Sequence, residues 1–227
     1  MSDKKEITVQ FEVDGHQVKL TPTIVQNYIV GTNAKITMAE FKFFSELCKV
    51  RGLNPFLKEA YCIKYGNEPA AVVVGKDAIL KRALKHPQYD GMKSGIIVLT
   101  EKGDMQQRDG MFYLPNEEVV GGWAEVWRKD LKYPKYVSVS YGECVKKKQD
   151  GKPNKFWNTS PATMLEKVAK CRALREMFVE ELGGMYEAEE IGDNLPTGDI
   201  IEGDFNEYVD EPPVMVDDMP PKDLADV

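Results

Sequence analysis

Between Tyr186 and Val227 the chain carries fourteen acidic residues and a single basic one, Lys222. Five prolines lie in the same stretch, and its apolar residues keep no period. Such a segment cannot bury enough apolar surface to offset backbone ordering, which costs about 1–2 kcal/mol per residue. Residues 186–227 are therefore expected to form a disordered acidic tail, and whatever folds must be built from residues 1–185. Two apolar clusters, Ile200-Ile201 with Phe205 and Val214-Met215-Val216, suit either short docking motifs or plain solubilising chain.

The same partition changes the meaning of the net charge. The 227 residues sum to −7, but the body holds 29 bases and 23 acids, a charge of +6, and the tail holds −13. Within Arg128–Arg175 there are 13 bases and four acids. A clustered basic surface is the electrostatic footprint of a nucleic-acid binder. No apolar run approaches the roughly 18–20 residues that span a bilayer. The start, MSDKKEITVQ, lacks the apolar centre of a signal peptide, so a cytosol is the expected compartment.

Several chemistries find no support. Cys48, Cys62, Cys144 and Cys171 form no C-x-x-C pair, and two histidines, His16 and His86, are too few to complete a zinc site with them. Val73-Val74-Gly75-Lys76 lies between a predicted strand and a predicted helix, as a phosphate-binding loop would. However, position 70 is Ala and no Ser or Thr follows Lys76, so ATP is not expected. Asp77, Asp90 and Glu125 have no spacing that assembles a two-metal nuclease site. No cofactor is expected, with Mg²⁺ at most a DNA counterion.

The body reads as α+β, with a largely antiparallel, hairpin-rich sheet and packed helices. ITVQFEV and HQVKL alternate around Asp14-Gly15, a tight-turn pair. A short helix follows Pro22, and Thr37-Met38-Ala39-Glu40 is a capping box opening a helix that Gly52 ends. A second hairpin is predicted for AYCIKYG-NEP-AAVVVG, then a helix from Lys76 to Lys85. GIIVLT and GMFYLP are predicted as paired strands, as are GGWAEVWRK and KYVSVSY, with Trp123 and Trp127 mainly in the core. After a basic loop, Ser160 and Pro161 open a helix predicted to run to Leu182.

That last helix sets a puzzle. Met164, Val168, Cys171, Leu174, Phe178 and Leu182 form its apolar stripe, and Lys167 and Arg175 fall inside it. Neither has an acid at i±3 or i±4, whereas Lys170 and Arg172 do. Phosphate oxygens would satisfy them, and so would a carboxylate distant in sequence. Upstream, cations and rings interleave: Arg128, Lys129, Lys132, Tyr133, Lys135 and Tyr136, then Lys146–Lys148, Lys152, Lys155, Phe156 and Trp157. Alternating cations and rings suit a single strand, since cations track phosphates and rings stack bases at about 1–3 kcal/mol each.

Gly52-Leu53-Asn54-Pro55-Phe56 with Lys58-Glu59 and Tyr61 resembles the signature of the phage Bet (Redβ) and RecT annealing proteins. The resemblance continues in order through Val74-Gly75-Lys76-Asp77, Tyr89-Asp90-Gly91-Met92, Gly121-Gly122-Trp123-Ala124 and Arg128-Lys129-Asp130. It ends with Trp157, Pro161, Met164-Leu165, Arg175, Phe178 and Gly184-Met185-Tyr186, so that it spans roughly 40–190. The resemblance implies an ATP-independent single-strand annealing protein with a Rad52-like core, a curved antiparallel sheet with packed helices, encoded by phage or prophage and working in the bacterial cytoplasm. It implies homo-oligomeric rings or filaments on single-stranded and annealed duplex DNA, a 5′→3′ exonuclease partner and a host single-strand-binding protein. The short acidic C-terminal region departs from the family pattern. Family-matched Lys58, Lys76, Lys129 and Arg175 are the expected phosphate contacts. Arg128, Lys132, Lys147, Lys155, Lys167 and Arg172 join them from the charge pattern, and Phe56 and Trp157 are candidates to stack a base or support the groove. The alternatives are a metal-dependent nuclease and a passive single-strand binder that does not speed pairing.

Overall fold

The computed structural model of the chain describes residues 6–30, 34–64, 68–148, 150–188 and 190. Residues 65–67, at the predicted junction of the second hairpin, and the acidic segment beyond 190 lie outside the described residues.

Alternation and turn chemistry build the first hairpin. Strands β1 (Val9–Val13) and β2 (His16–Leu20) pair antiparallel, with Val13 opposite His16 across Asp14-Gly15, both at positive φ. A short helix α1 (Pro22–Ile24) passes into a π turn, Val25–Ile29. Helix α2 (Met38–Val50) opens with the predicted capping box: the Thr37 hydroxyl accepts from the Glu40 amide and the Glu40 carboxylate accepts from the Thr37 amide. That carboxylate does more than cap. It also accepts from Lys64 Nζ at 2.9 Å and from the Ala70 amide at 2.9 Å. Burial disfavours its charge, yet these donors outweigh burial and hold it at about 2. Glu40 thereby ties α2 to the second hairpin, β3 (Ala60–Ile63) with β4 (Ala71–Val74).

Helix α3 (Lys76–Lys85) leads into the main sheet. Its four antiparallel strands lie in the order β6 (Met105–Asp109), β5 (Tyr89–Leu99), β7 (Glu118–Arg128), β8 (Lys135–Ser140). Bulges interrupt the β5–β7 register at Tyr89/Gly91 and Ile97/Val98. Helix α6 (Pro161–Met177) crosses one face, over Ile96, Val98, Ala124, Val126 and Val139, all buried. The crossing is close. A Cβ at Gly122 would lie 2.5 Å from the Leu165 carbonyl oxygen, so only glycine lets the helix backbone settle on β7 there.

Two strand and helix predictions need correction. GMFYLP is not a strand. The partner of β5 is Met105–Asp109, and Gly110 at φ +72 turns the chain away. The predicted helix from Pro161 breaks at Phe178, where φ −120 and ψ 54 leave the helical region, and resumes as α7 (Val179–Leu182). The break seats the Phe178 ring in the core beside His86, 4.9 Å away. A short helix α4 (Tyr141–Cys144), capped by Ser140, precedes the basic loop, and the loop itself carries another, α5 (Lys155–Thr159), capped by Asn154. All four cysteines are buried free thiols, and burial pushes Cys48 up to about 12 and Cys62 up to about 11.

Candidate nucleic-acid interface

The predicted cations fall into two sets. The first is bonded inward. Arg175 donates both terminal nitrogens to Glu190, at 2.6 and 2.5 Å, and its guanidinium stacks 4.4 Å from the Tyr186 ring. Its side chain is 12% exposed and that of Glu190 only 2%. Burial disfavours the Arg175 charge, but the Glu190 carboxylate outweighs it and the pKa is raised. Lys167 lies 3.4 Å from Glu187, and Arg172 reaches Glu143 at 2.8 Å. The carboxylates missing from the helix spacing thus come mostly from the segment after α7. That segment is itself pinned, because the Val74 amide donates to the Tyr186 carbonyl at 2.8 Å and Met185 and Glu187 are buried. Residues 186–188 and 190, predicted at the start of the tail, are therefore packed on the body.

Arg128 belongs to the same inward set. Its guanidinium grips Asp130 at 3.0 and 2.7 Å, donates to the Met177 carbonyl at 3.0 Å and lies 5.4 Å from the centre of the Phe178 ring. It fastens the end of β7 to the break between α6 and α7. Trp157 is also structural. It is fully buried, with its ring edge-on to Tyr141 at 5.9 Å.

The second set faces solvent on three connections. Lys58 sits at φ 60 after Pro55–Leu57, its carbonyl packed against Gly75, so it shares a ridge with Lys76 and with exposed Phe56. A Cβ at Gly75 would lie 2.6 Å from that carbonyl. Lys76 has Asp77 at 3.2 Å, an exposed pair of little energetic weight. The β7–β8 connection carries Lys129, which donates to the Pro87 carbonyl at 3.1 Å, and Lys132, which lies 5.2 Å from the Tyr133 ring centre. The chain between α4 and α5 carries Lys147, bridged to Pro153, and leads to Lys155. Lys58, Lys132, Lys147 and Lys155 have no carboxylate partner among the described residues.

Of the rings interleaved with lysine in the sequence, Tyr133, Tyr136 and Phe156 are exposed, as is Phe56, and Trp157 is not. Beside Lys155 it is Phe156 that is exposed, while Trp157 turns inward. Tyr133 is exposed beside Lys132, and half-exposed Tyr136 stacks on Trp123 at 6.3 Å with its hydroxyl 2.5 Å from Gln107 Nε2. Their signal in the sequence was adjacency to lysine on a predicted hairpin.

Among the described residues no three His, Cys, Asp or Glu side chains gather as a metal site would require, and no helix is long and apolar enough to cross a membrane. No curated protein matches the chain. The model of the RecT family matches residues 18–202.

Proposed function

The chain belongs to the RecT family, the non-catalytic, ATP-independent proteins of single-strand annealing recombination, and from that premise we propose how its cations divide the work. The exposed lysines, Lys58 and Lys76, Lys129 and Lys132, Lys147 and Lys155, take the phosphates of one strand. The inward set, Arg128, Lys167, Arg172 and Arg175, fixes the surface on which they stand. Phe56, Tyr133 and Phe156 offer ring faces to bases. Bases left unpaired by such backbone contacts remain open to a complementary strand, and neutralised phosphates let that strand approach. Copies line up along the DNA as a homo-oligomer, in the cytoplasm of a bacterial host. They act on strands that a 5′→3′ exonuclease exposes and a host single-strand-binding protein coats. Mg²⁺ enters only as a DNA counterion.

One observation supports this reading above the others: Arg128, Lys167, Arg172 and Arg175 are paired with carboxylates, whereas Lys58, Lys132, Lys147 and Lys155 have no carboxylate partner among the described residues and Lys76 has only its exposed neighbour Asp77. The test is the salt dependence of single-strand affinity. Each phosphate contact adds about 0.7 to the slope of log affinity against log salt. Lys132→Ala/Lys147→Ala/Lys155→Ala should lower that slope by about 2 and slow annealing of complementary oligonucleotides without ATP. An unchanged slope removes these lysines from the interface.

A further inference from the structure

Two of the apolar patches open to solvent among the described residues lie on different elements. The first is the tip between β6 and β7. Met111, Phe112, Tyr113 and Leu114 are consecutive and all exposed, Phe112 by 76%. A loop with no partner does not carry four such residues in a row. The tip is also held in shape. The Glu117 carboxylate accepts from the Leu114 amide at 2.9 Å and from Arg108 at 2.5 Å, and Asn116 donates to Glu101 at 3.1 Å. A fixed tip loses little freedom on docking.

The second patch is the outer side of α2. Phe41, Phe44 and Cys48 turn into the core, while Phe43 and Val50, with half-buried Leu47 between them, follow i, i+4, i+7 on another side. Phe43 is 62% exposed and Val50 79%. A helix that is apolar on two sides is built to be covered twice. The surroundings are opposite in charge. Residues 101–118 hold five acids and two bases, and residues 35–51 hold four bases and two acids, one of them Glu40, which is already paired with Lys64.

We propose that the Met111–Leu114 tip of one copy docks on the Phe43–Leu47–Val50 stripe of the next, head to tail. The proposal rests on the reading that copies line up along a strand, and it names the surfaces that join them. Donor and acceptor surfaces differ, so the contact is heterologous: it grows until it closes as a ring, or it continues as a filament. A tip-to-tip contact would instead set acid against acid and stop at a dimer.

The test uses Phe112→Asp and Phe43→Asp in the full chain, both at exposed positions, with melting temperatures checked against the parent. Sedimentation velocity should show each variant as a monomer under conditions where the parent assembles. Mixed one to one, the intact tip of Phe43→Asp meets the intact stripe of Phe112→Asp. The mixture should therefore form a dimer that grows no further. A monomeric mixture, a variant that keeps the parent's mass, or a parent that never assembles overturns the junction. Annealing by the parent is followed in the same samples, so the loss of this junction is told apart from a failure of the annealing reading.

Discussion

Glu190 decides what Arg175 does. With both terminal nitrogens on one buried carboxylate and the Tyr186 ring against it, the hydrogen-bonding edge of the guanidinium is already occupied. Arg175→Ala would strand the Glu190 carboxylate, and breaking such a pair costs about 3–5 kcal/mol. The expected outcome is a lower urea midpoint at unchanged slope, with a second change, Glu190→Gln, recovering part of the loss. The sequence exposed the problem of Lys167 and Arg175 but not its solution, because helix spacing reports only neighbours within a turn. Their partners arrive after α7, where no periodicity extends. Glu40 allows a test by pH. Its folded value, about 2, lies below the usual 4.5, so its contribution is complete above 4.5 and is lost as pH falls through 2. Glu40→Gln should melt below the parent at neutral pH, and the gap should narrow between pH 4.5 and 2. A gap that stays constant there would show that the carboxylate charge is not what holds α2 to the second hairpin.

Elements were legible where local chemistry fixes them. Asp14-Gly15, the Thr37–Glu40 capping box and the strand before Gly75 each announce themselves within four residues, and each stands where predicted. GMFYLP misled because adjacent aromatic residues such as Phe112 and Tyr113 carry strand propensity even where nothing covers them. Gly110 and the Glu117 hydrogen bonds made it a tip instead. The crossing of α6 over β7 was not legible at all, since it depends on an absent side chain opposite a backbone far along the chain. Gly122→Ala should cost about 1–3 kcal/mol, because the new methyl meets carbonyl and amide atoms and not a flexible side chain. Gly142→Ala, with nothing within 4 Å, is the matched control and should leave the melting temperature unchanged or slightly raised. Equal effects at the two positions would mean that the crossing has slack.

At the scale of the whole molecule, charge is arranged by segment. Residues 191–227 hold eleven acids and Lys222, while Glu190 belongs to the body. Ending the chain after Glu190 should therefore leave the melting temperature in place and tighten single-strand binding at low salt, an advantage that fades at high salt. Anisotropy titrations at two salt concentrations decide it, and equal affinities at low salt would show that the acidic segment does not compete for the lysines. The four thiols have a different consequence. Cys48 lies on α2, Cys62 on β3, Cys144 on α4 and Cys171 on α6, each buried and each free. A thiol reacts as thiolate, and only once its surroundings open. The chain thus carries four built-in clocks, one per packed element, and the order in which an alkylating reagent stops them is the order in which the fold comes apart.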